Sequence, residues 1–229
     1  VVMEELEYSR DKHLLKKTTN HNYNPRTEPD PKAIQRAVEA MQKAKRPIFY
    51  TGGGVINAGP EASTLLRKLV DKTGFPITNT LLGLGSFPAS DSHFLGMLGM
   101  HGTYEANMAM AKCDVMICIG ARFDDRVTGK LSDFSTGSFK IHADIDPSSI
   151  NKNVPVDVPI IGDAGLIISS LLNAWEDSGN HLKMDRNHNW WKTIDGWRSR
   201  ECLRYKQSQE VIKPQYAIQR LQELTKDKD

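Results

Sequence analysis

Val115-Met-Ile-Cys-Ile119 is an unbroken apolar run, and it leads straight into Gly120-Ala-Arg-Phe-Asp-Asp-Arg-Val-Thr-Gly-Lys130. A short continuous run of this kind reads as a strand buried on both faces, as in a parallel sheet covered by helices. Open α/β sheets bind their ligands at the carboxyl ends of such strands. Arg122, Asp124, Asp125, Arg126 and Lys130 all fall in the one loop that follows. Mutual ion pairing in a solvated loop would contribute under about 1 kcal/mol. It would not explain why the charges gather at a strand end beside glycine-bearing loops. An arginine fork presented to a carboxylate or phosphate would explain it.

Outward from this strand, helical and strand patterns alternate. Asp30-Pro31 supplies an N-cap followed by a first-turn proline, with Ala33, Ile34, Ala37, Val38 and Met41 as the apolar stripe. Strands are expected at Pro47–Tyr50, Phe75–Asn79, Phe139–Ala143 and Val156–Ile161. Helices are expected over Pro60–Lys72, Thr103–Lys112 and Ala164–Trp175, and the stretch from Leu81 to Met100 reads as a long glycine-bearing loop. The alternation implies an α/β domain over residues 30–178, an open parallel sheet in three layers with helices on both faces.

The flanks differ in composition. Residues 1–29 are polar and charged, and are expected to form a linker or disordered arm. In residues 179–229, Trp190, Trp191, Ile194 and Trp197 share one helical face, and Lys213-Pro214 opens a second amphipathic helix. Aromatic faces with no domain behind them read as a helical linker toward a domain the chain lacks.

Composition excludes several classes. A net charge of +2 over 229 residues does not point to nucleic acid or an acidic membrane surface. No apolar run approaches the roughly 18 residues of a membrane span. Three cysteines without a Cys-x-x-Cys spacing argue against a disulfide framework or a zinc site, and for a reducing, cytoplasmic setting.

Four further motifs fall at the carboxyl ends of expected strands or in the loops that follow them. Gly52-Gly53-Gly54 follows the first strand, either admitting a ligand close to the backbone or making a tight turn. His101, in Leu98-Gly-Met-His-Gly102, could stack on a flat ligand or cap the next helix. Asp144 and Asp146 follow another strand and could accept ribose hydroxyls or form an Asp-Pro cap. Gly162-Asp163 repeats the arrangement.

Thr51-Gly-Gly-Gly-Val-Ile56, Thr80-Leu-Leu-Gly-Leu-Gly-Ser86, Leu98-Gly-Met-His-Gly102, Gly120-Ala-Arg-Phe-Asp-Asp-Arg-Val-Thr-Gly129 and Asp144-Ile-Asp-Pro147 closely resemble the acetolactate synthase (acetohydroxyacid synthase) family, in the central domain of its catalytic large subunit. The likeness runs from about Asp30 to Trp175, and Val211–Tyr216 resembles the lead-in to that family's third domain. It implies a Rossmann-like sheet of about six strands that holds FAD in an extended pose. The positions matching FAD contacts are Gly52, Gly53, Gly54, Thr80, Leu81, Leu82, Gly99, Met100, His101, Gly120, Ala121, Arg122, Asp124, Arg126, Val127, Asp144, Ile145, Gly162 and Asp163. Arg126 also matches an arginine that approaches the carboxylate of the second substrate.

The resemblance implies a parent enzyme that condenses two pyruvates, or pyruvate with 2-oxobutanoate, and releases CO2. This is a transferase step of branched-chain amino-acid biosynthesis that uses thiamine diphosphate and Mg²⁺. FAD is not needed there for net redox chemistry. It further implies 2-oxo acid substrates, homo-oligomeric assembly and a possible regulatory subunit, with no nucleic-acid or membrane partner. The Gly-Asp-Gly metal motif and the glutamate-bearing domain of that family are absent from these residues, so this stretch alone is expected to be inactive. Two alternatives stay open: the middle domain of a pyruvate oxidase or decarboxylase, and a domain that binds no cofactor and serves only in assembly.

Overall fold

A computed structural model describes residues 25–179 and 183–225. Most of the arm expected over residues 1–29, and the final four residues, lie outside that range. One parallel sheet carries six strands in the order β3-β2-β1-β4-β5-β6. These are β1 (Pro47–Thr51), β2 (Ile77–Asn79), β3 (Phe94–Met97), β4 (Val115–Ile119), β5 (Phe139–Asp144) and β6 (Val158–Ile161). Every residue of β1 and β4 is buried, as the unbroken apolar run predicts.

The order reverses between β1 and β4, which makes their junction the topological switch point of a doubly wound sheet. Thr51 pairs with Ile119, and Ile119 with Ala143, so these strands end at one level. The loops that follow them therefore emerge side by side.

The segment read as a long loop contains β3. This edge strand is four residues long, with Gly96 at φ 90°, and its pairing with β2 shifts register. It is too short and too glycine-broken to show a strand period. β2 begins at Ile77 rather than Phe75, because Pro76 and its carbonyl, which accepts from Phe49 N, lead into the strand.

Helices α1 (Pro31–Lys43), α2 (Gly53–Asn57), α3 (Pro60–Thr73), α4 (Tyr104–Lys112), α5 (Asp125–Thr128), α6 (Ala164–Asp177), α7 (Asn189–Arg198) and α8 (Pro214–Thr225) complete the fold. α1 and α3 pack against α6 on one side, while α4 packs against β3 and α7. The expected stop and start chemistry is present. The Asp30 carboxylate accepts from Lys32 N at 3.0 Å, and Gly74 ends α3 in the left-handed region at φ 70°.

The bare aromatic face expected in the tail is overturned. Trp190 and Trp191 of α7 are 2% and 0% exposed. Their indole N–H groups donate to the carbonyls of Pro47 and Gly74, both at 2.9 Å. Those carbonyls lie just at or before the starts of β1 and β2, so α7 closes the amino edge of the sheet. Spacing revealed an apolar face; its destination, more than a hundred residues upstream, was not visible in the spacing. α8 buries nothing among the described residues, and Ile218, Leu221 and Leu224 are exposed.

Candidate functional site

At the switch point the turns after β1 and β4 are stitched together by backbone. Gly52 N donates to Ile119 O and Gly54 N to Gly120 O, each at 3.0 Å. A Cβ on Gly52 would lie 2.3 Å from Gly120 O, and one on Gly54 would lie 2.6 Å from Gly120 Cα. Two of the three glycines are thus required by turn-to-turn contact. Gly53 has more room, its nearest neighbour being Leu82 Cβ at 3.3 Å.

Polar side chains shape the adjoining loop. Thr51 Oγ1 donates to Asn79 Oδ1 at 2.6 Å, and Asn79 Nδ2 donates to Gly83 O at 2.8 Å. Thr80 Oγ1 accepts from Gly83 N at 3.0 Å. This closes a 3₁₀ turn over Leu81–Gly83 and leaves Leu81 and Leu82 about 70% exposed, a large apolar outlay for a surface turn.

The charged loop is pinned from beneath. Phe123 is buried at φ 53°, its ring 5.7 Å from Tyr50 and 4.9 Å from His142. The Ala121 carbonyl accepts from His142 Nε2 at 2.7 Å and from Cys118 Sγ at 3.4 Å. Asn153 Nδ2 donates to Phe123 O at 3.0 Å. Burial holds the pKa of His142 below the ordinary value by disfavouring the charged imidazolium. Its Nδ1 and the Tyr50 hydroxyl are buried without a hydrogen-bond partner among the described residues. Burial, and then the proximity of Cys118 and Asp124, pushes the Tyr50 phenol well up.

Above this anchor Arg122 reaches Asp124 at 3.2 Å in an exposed pair, so local ion pairing accounts for one arginine. Arg126, in the α5 turn, has no carboxylate partner among the described residues. The Arg126 carbonyl accepts from Met100 N at 2.9 Å, and Asn107 holds Gly99 by both its N–H and its carbonyl. Gly99, at φ 104°, could not carry a Cβ, which would lie 2.5 Å from Arg126 O. Thr103 rather than His101 caps α4, accepting from Ala106 N.

The aspartates divide their roles. Asp146 caps the turn that follows it, accepting from Ser148 N and Oγ at 2.9 and 2.8 Å, and these bonds hold its carboxyl below the usual range. Among the described residues, the Asp144 carboxylate accepts only from Asp146 N, at 2.9 Å. Asp163 caps α6 through Gly165 N and Leu166 N.

These parts enclose a cleft of about 640 Å³, within the roughly 300–1,000 Å³ of small-molecule sites. It runs from Gly53, Gly54, Thr80, Leu81 and Leu82, past Gly120, Ala121, Arg122, Asp124, Arg126 and Val127, to Asp144, Ile145, Gly162 and Asp163. Four candidates do not line it. They are Gly52, Gly99, Met100 and His101; of these, Gly99 and Met100 are packed on the Arg126 carbonyl. Tyr50, Asn57, Ala58, Ala143 and Ala164 line it without having been singled out. They face it through strand parity and helix phase, which no motif marks.

Chemically the cleft can grip but carries little reactive equipment. No serine, cysteine or histidine lines it, and no group of three potential metal ligands exists among the described residues. It offers close backbone approach at one end, an unpaired guanidinium in the middle and a carboxylate acceptor at the other end. Glycine-lined walls and an orphaned phenol at the floor suit a long, polar, flat-ended molecule such as a dinucleotide.

Residues 34–171 match the family model described as thiamine pyrophosphate enzyme, central domain. The large subunit of acetolactate synthase isozyme 3 from Escherichia coli (strain K12) is 43% identical over 205 residues, which is 90% of this chain and 35% of that protein. The acetolactate synthase large subunit of Haemophilus influenzae is 42% identical over the same shares. The acetolactate synthase of Mycobacterium leprae is 43% identical over 88% of this chain and 32% of its own length.

Proposed function

From the premise that the chain belongs to the thiamine pyrophosphate enzyme central-domain family, we propose that it is the FAD-holding domain of an acetolactate synthase large subunit. The observation that carries the reading is the cleft at the β1–β4 switch point, lined by most of the expected cofactor positions and by the unpaired Arg126. The residues fit the group: Gly53 keeps its backbone bare opposite Leu82 in the cleft wall, and the Tyr50 hydroxyl, at the cleft floor, lacks a partner among the described residues. Bound FAD would supply bulk and rigidity rather than net redox chemistry.

In this reading Asp144 accepts hydrogen bonds from the hydroxyls of a ribose, and the exposed Arg122 neutralises phosphate charge. Gly53, Gly54 and Gly120 let backbone approach the ligand, and Leu81 and Leu82 shield its apolar part from water. Arg126 remains available for a substrate carboxylate, which a guanidinium can hold through two parallel hydrogen bonds.

The chain spans about a third of the length of the curated relatives it matches. The whole enzyme would condense two pyruvates, or pyruvate with 2-oxobutanoate, in the cytoplasm. Thiamine diphosphate and Mg²⁺ would be held by residues beyond these, in a homo-oligomer paired with a regulatory small subunit. Titration of the purified 229-residue stretch with FAD, followed by flavin fluorescence, should give saturable but weak binding, since this stretch alone, about a third of such an enzyme, leaves the cleft less pre-organised. Arg122→Ala should weaken it about tenfold. With pyruvate, thiamine diphosphate, Mg²⁺ and FAD supplied, this stretch should form no acetolactate. Failure to bind FAD at millimolar concentration would sink the cofactor assignment, and acetolactate formation would sink the division of labour.

A further inference from the structure

A second cavity, of about 630 Å³, opens at the amino edge of the sheet, away from the cleft. Its walls are the Lys45-Arg46 turn after α1, Lys112 at the end of α4, and one face of α7 from its cap His188 to Trp197. We propose that this cavity is a binding site for a small anion with an apolar body, of the aromatic carboxylate or sulfonate class. The site is independent of the FAD reading.

The lining is mostly carbon, with Trp190 and Trp197 meeting edge to face at 5.7 Å. Trp190 is fixed by its N–H bond to Pro47 O, so the floor is rigid. Around this apolar floor stand three cations. Arg46 is held in place by Nε donating to Lys112 O at 2.7 Å, and its terminal N–H groups have no partner among the described residues. Neither Lys45 nor Lys112 pairs with a carboxylate among the described residues. The nearby Asp114 carboxylate is committed to the backbone N–H groups of Lys45 and Arg46, at 2.9 and 2.8 Å. It organises the turn rather than answering the side chains.

His188 accepts from Trp190 N through Nδ1, at 3.2 Å, so its Nε2–H is available to donate into the cavity. Like charges gathered on an apolar rim repel one another, and an anion relieves that repulsion while burying its hydrocarbon part. A bare inorganic anion would satisfy the cations and leave the indoles wet. A neutral aromatic would do the reverse.

Calorimetric titration of the whole chain with 1-naphthoate, in the presence of FAD, tests the assignment. One saturable site per chain is expected, unaffected by FAD. It should weaken at least tenfold in the Lys45→Glu, Lys112→Glu double variant, and Thr193→Trp should weaken it by crowding the cavity. Both lysines are exposed, so the double variant should keep its near-ultraviolet tryptophan signal and its melting temperature. Equal affinity for neutral 1-naphthamide, full retention of binding in the double variant, displacement by FAD, or no detectable binding would each overturn the proposal.

Discussion

His142 has no exposed surface, and its Nε2–H is spent on the Ala121 carbonyl that opens the charged loop. Protonating Nδ1 would set a charge in a dry site against Phe123, and burial accordingly holds the pKa below its ordinary value near 6.5. In the unfolded chain the imidazole titrates at that ordinary value, so below about pH 6.5 the unfolded state binds more protons than the folded one. The stability this neutral histidine contributes is complete above that pH and is lost as pH falls toward the depressed folded pKa. The slope should reach at most about 1.4 kcal/mol per pH unit. Urea melts at pH 7.5, 6.5 and 5.5 should show this loss, and His142→Gln should flatten the curve in that window. Parallel curves for the two proteins would remove His142 as the cause. The residue was placed on its strand by pattern alone, but nothing marked it as a support of the site. Its partner is a backbone carbonyl one strand away, and carbonyls leave no signature in a sequence.

The glycine turn after β1 was legible as a place of close approach, while what approached it was not. A ligand and a neighbouring turn make the same demand on a backbone, the absence of a Cβ. The structure separates them residue by residue. Gly54→Ala would drive a Cβ into the Gly120 backbone at 2.6 Å, and neither chain can give without displacing β1 or β4. We expect a loss of about 1–3 kcal/mol of stability, the cost of overpacking a closed site, together with loss of FAD binding. At Gly53 the added methyl meets the flexible Leu82 side chain at 3.3 Å. Gly53→Ala should cost much less stability, yet weaken FAD binding by crowding the cleft. Thermal melts paired with flavin titration distinguish the two variants, and equal destabilisation would refute the separation. The same logic explains the missed strand. β3 is an edge element whose Gly96 sits where a Cβ would strike Thr103 at 2.4 Å, so packing against α4 removed the side chain that would have signalled a strand.

At the scale of the molecule, the alternation of elements set the doubly wound sheet, and the sheet order set the cleft at its reversal. The tail obeys a longer-range rule. α7 carries its aromatic face back to the amino edge, where Trp191 is fully enclosed, lies beneath the guanidinium of Arg186 at 3.9 Å and donates to Gly74 O. Local periodicity shows an apolar stripe, while the acceptors it needs are carbonyls contributed by β1 and the end of α3. α7 is therefore part of the folded unit, whereas α8 leaves Ile218, Leu221 and Leu224 in solvent. Two truncations test this boundary. Ending the chain after Ser208 removes α8 and should leave the melting temperature within a few degrees of the parent. Trp191→Ala in the otherwise intact chain removes a large enclosed side chain and should cost about 3–5 kcal/mol, a fall of roughly 6–20 °C for a domain of this size. Ending the chain after Asp185 strips both indoles from the amino edge, opens the cavity floor and uncovers the starts of β1 and β2. That truncation should fail to give a cooperative transition. If it melts like the parent, α7 only rests on the sheet and the folded unit ends with α6.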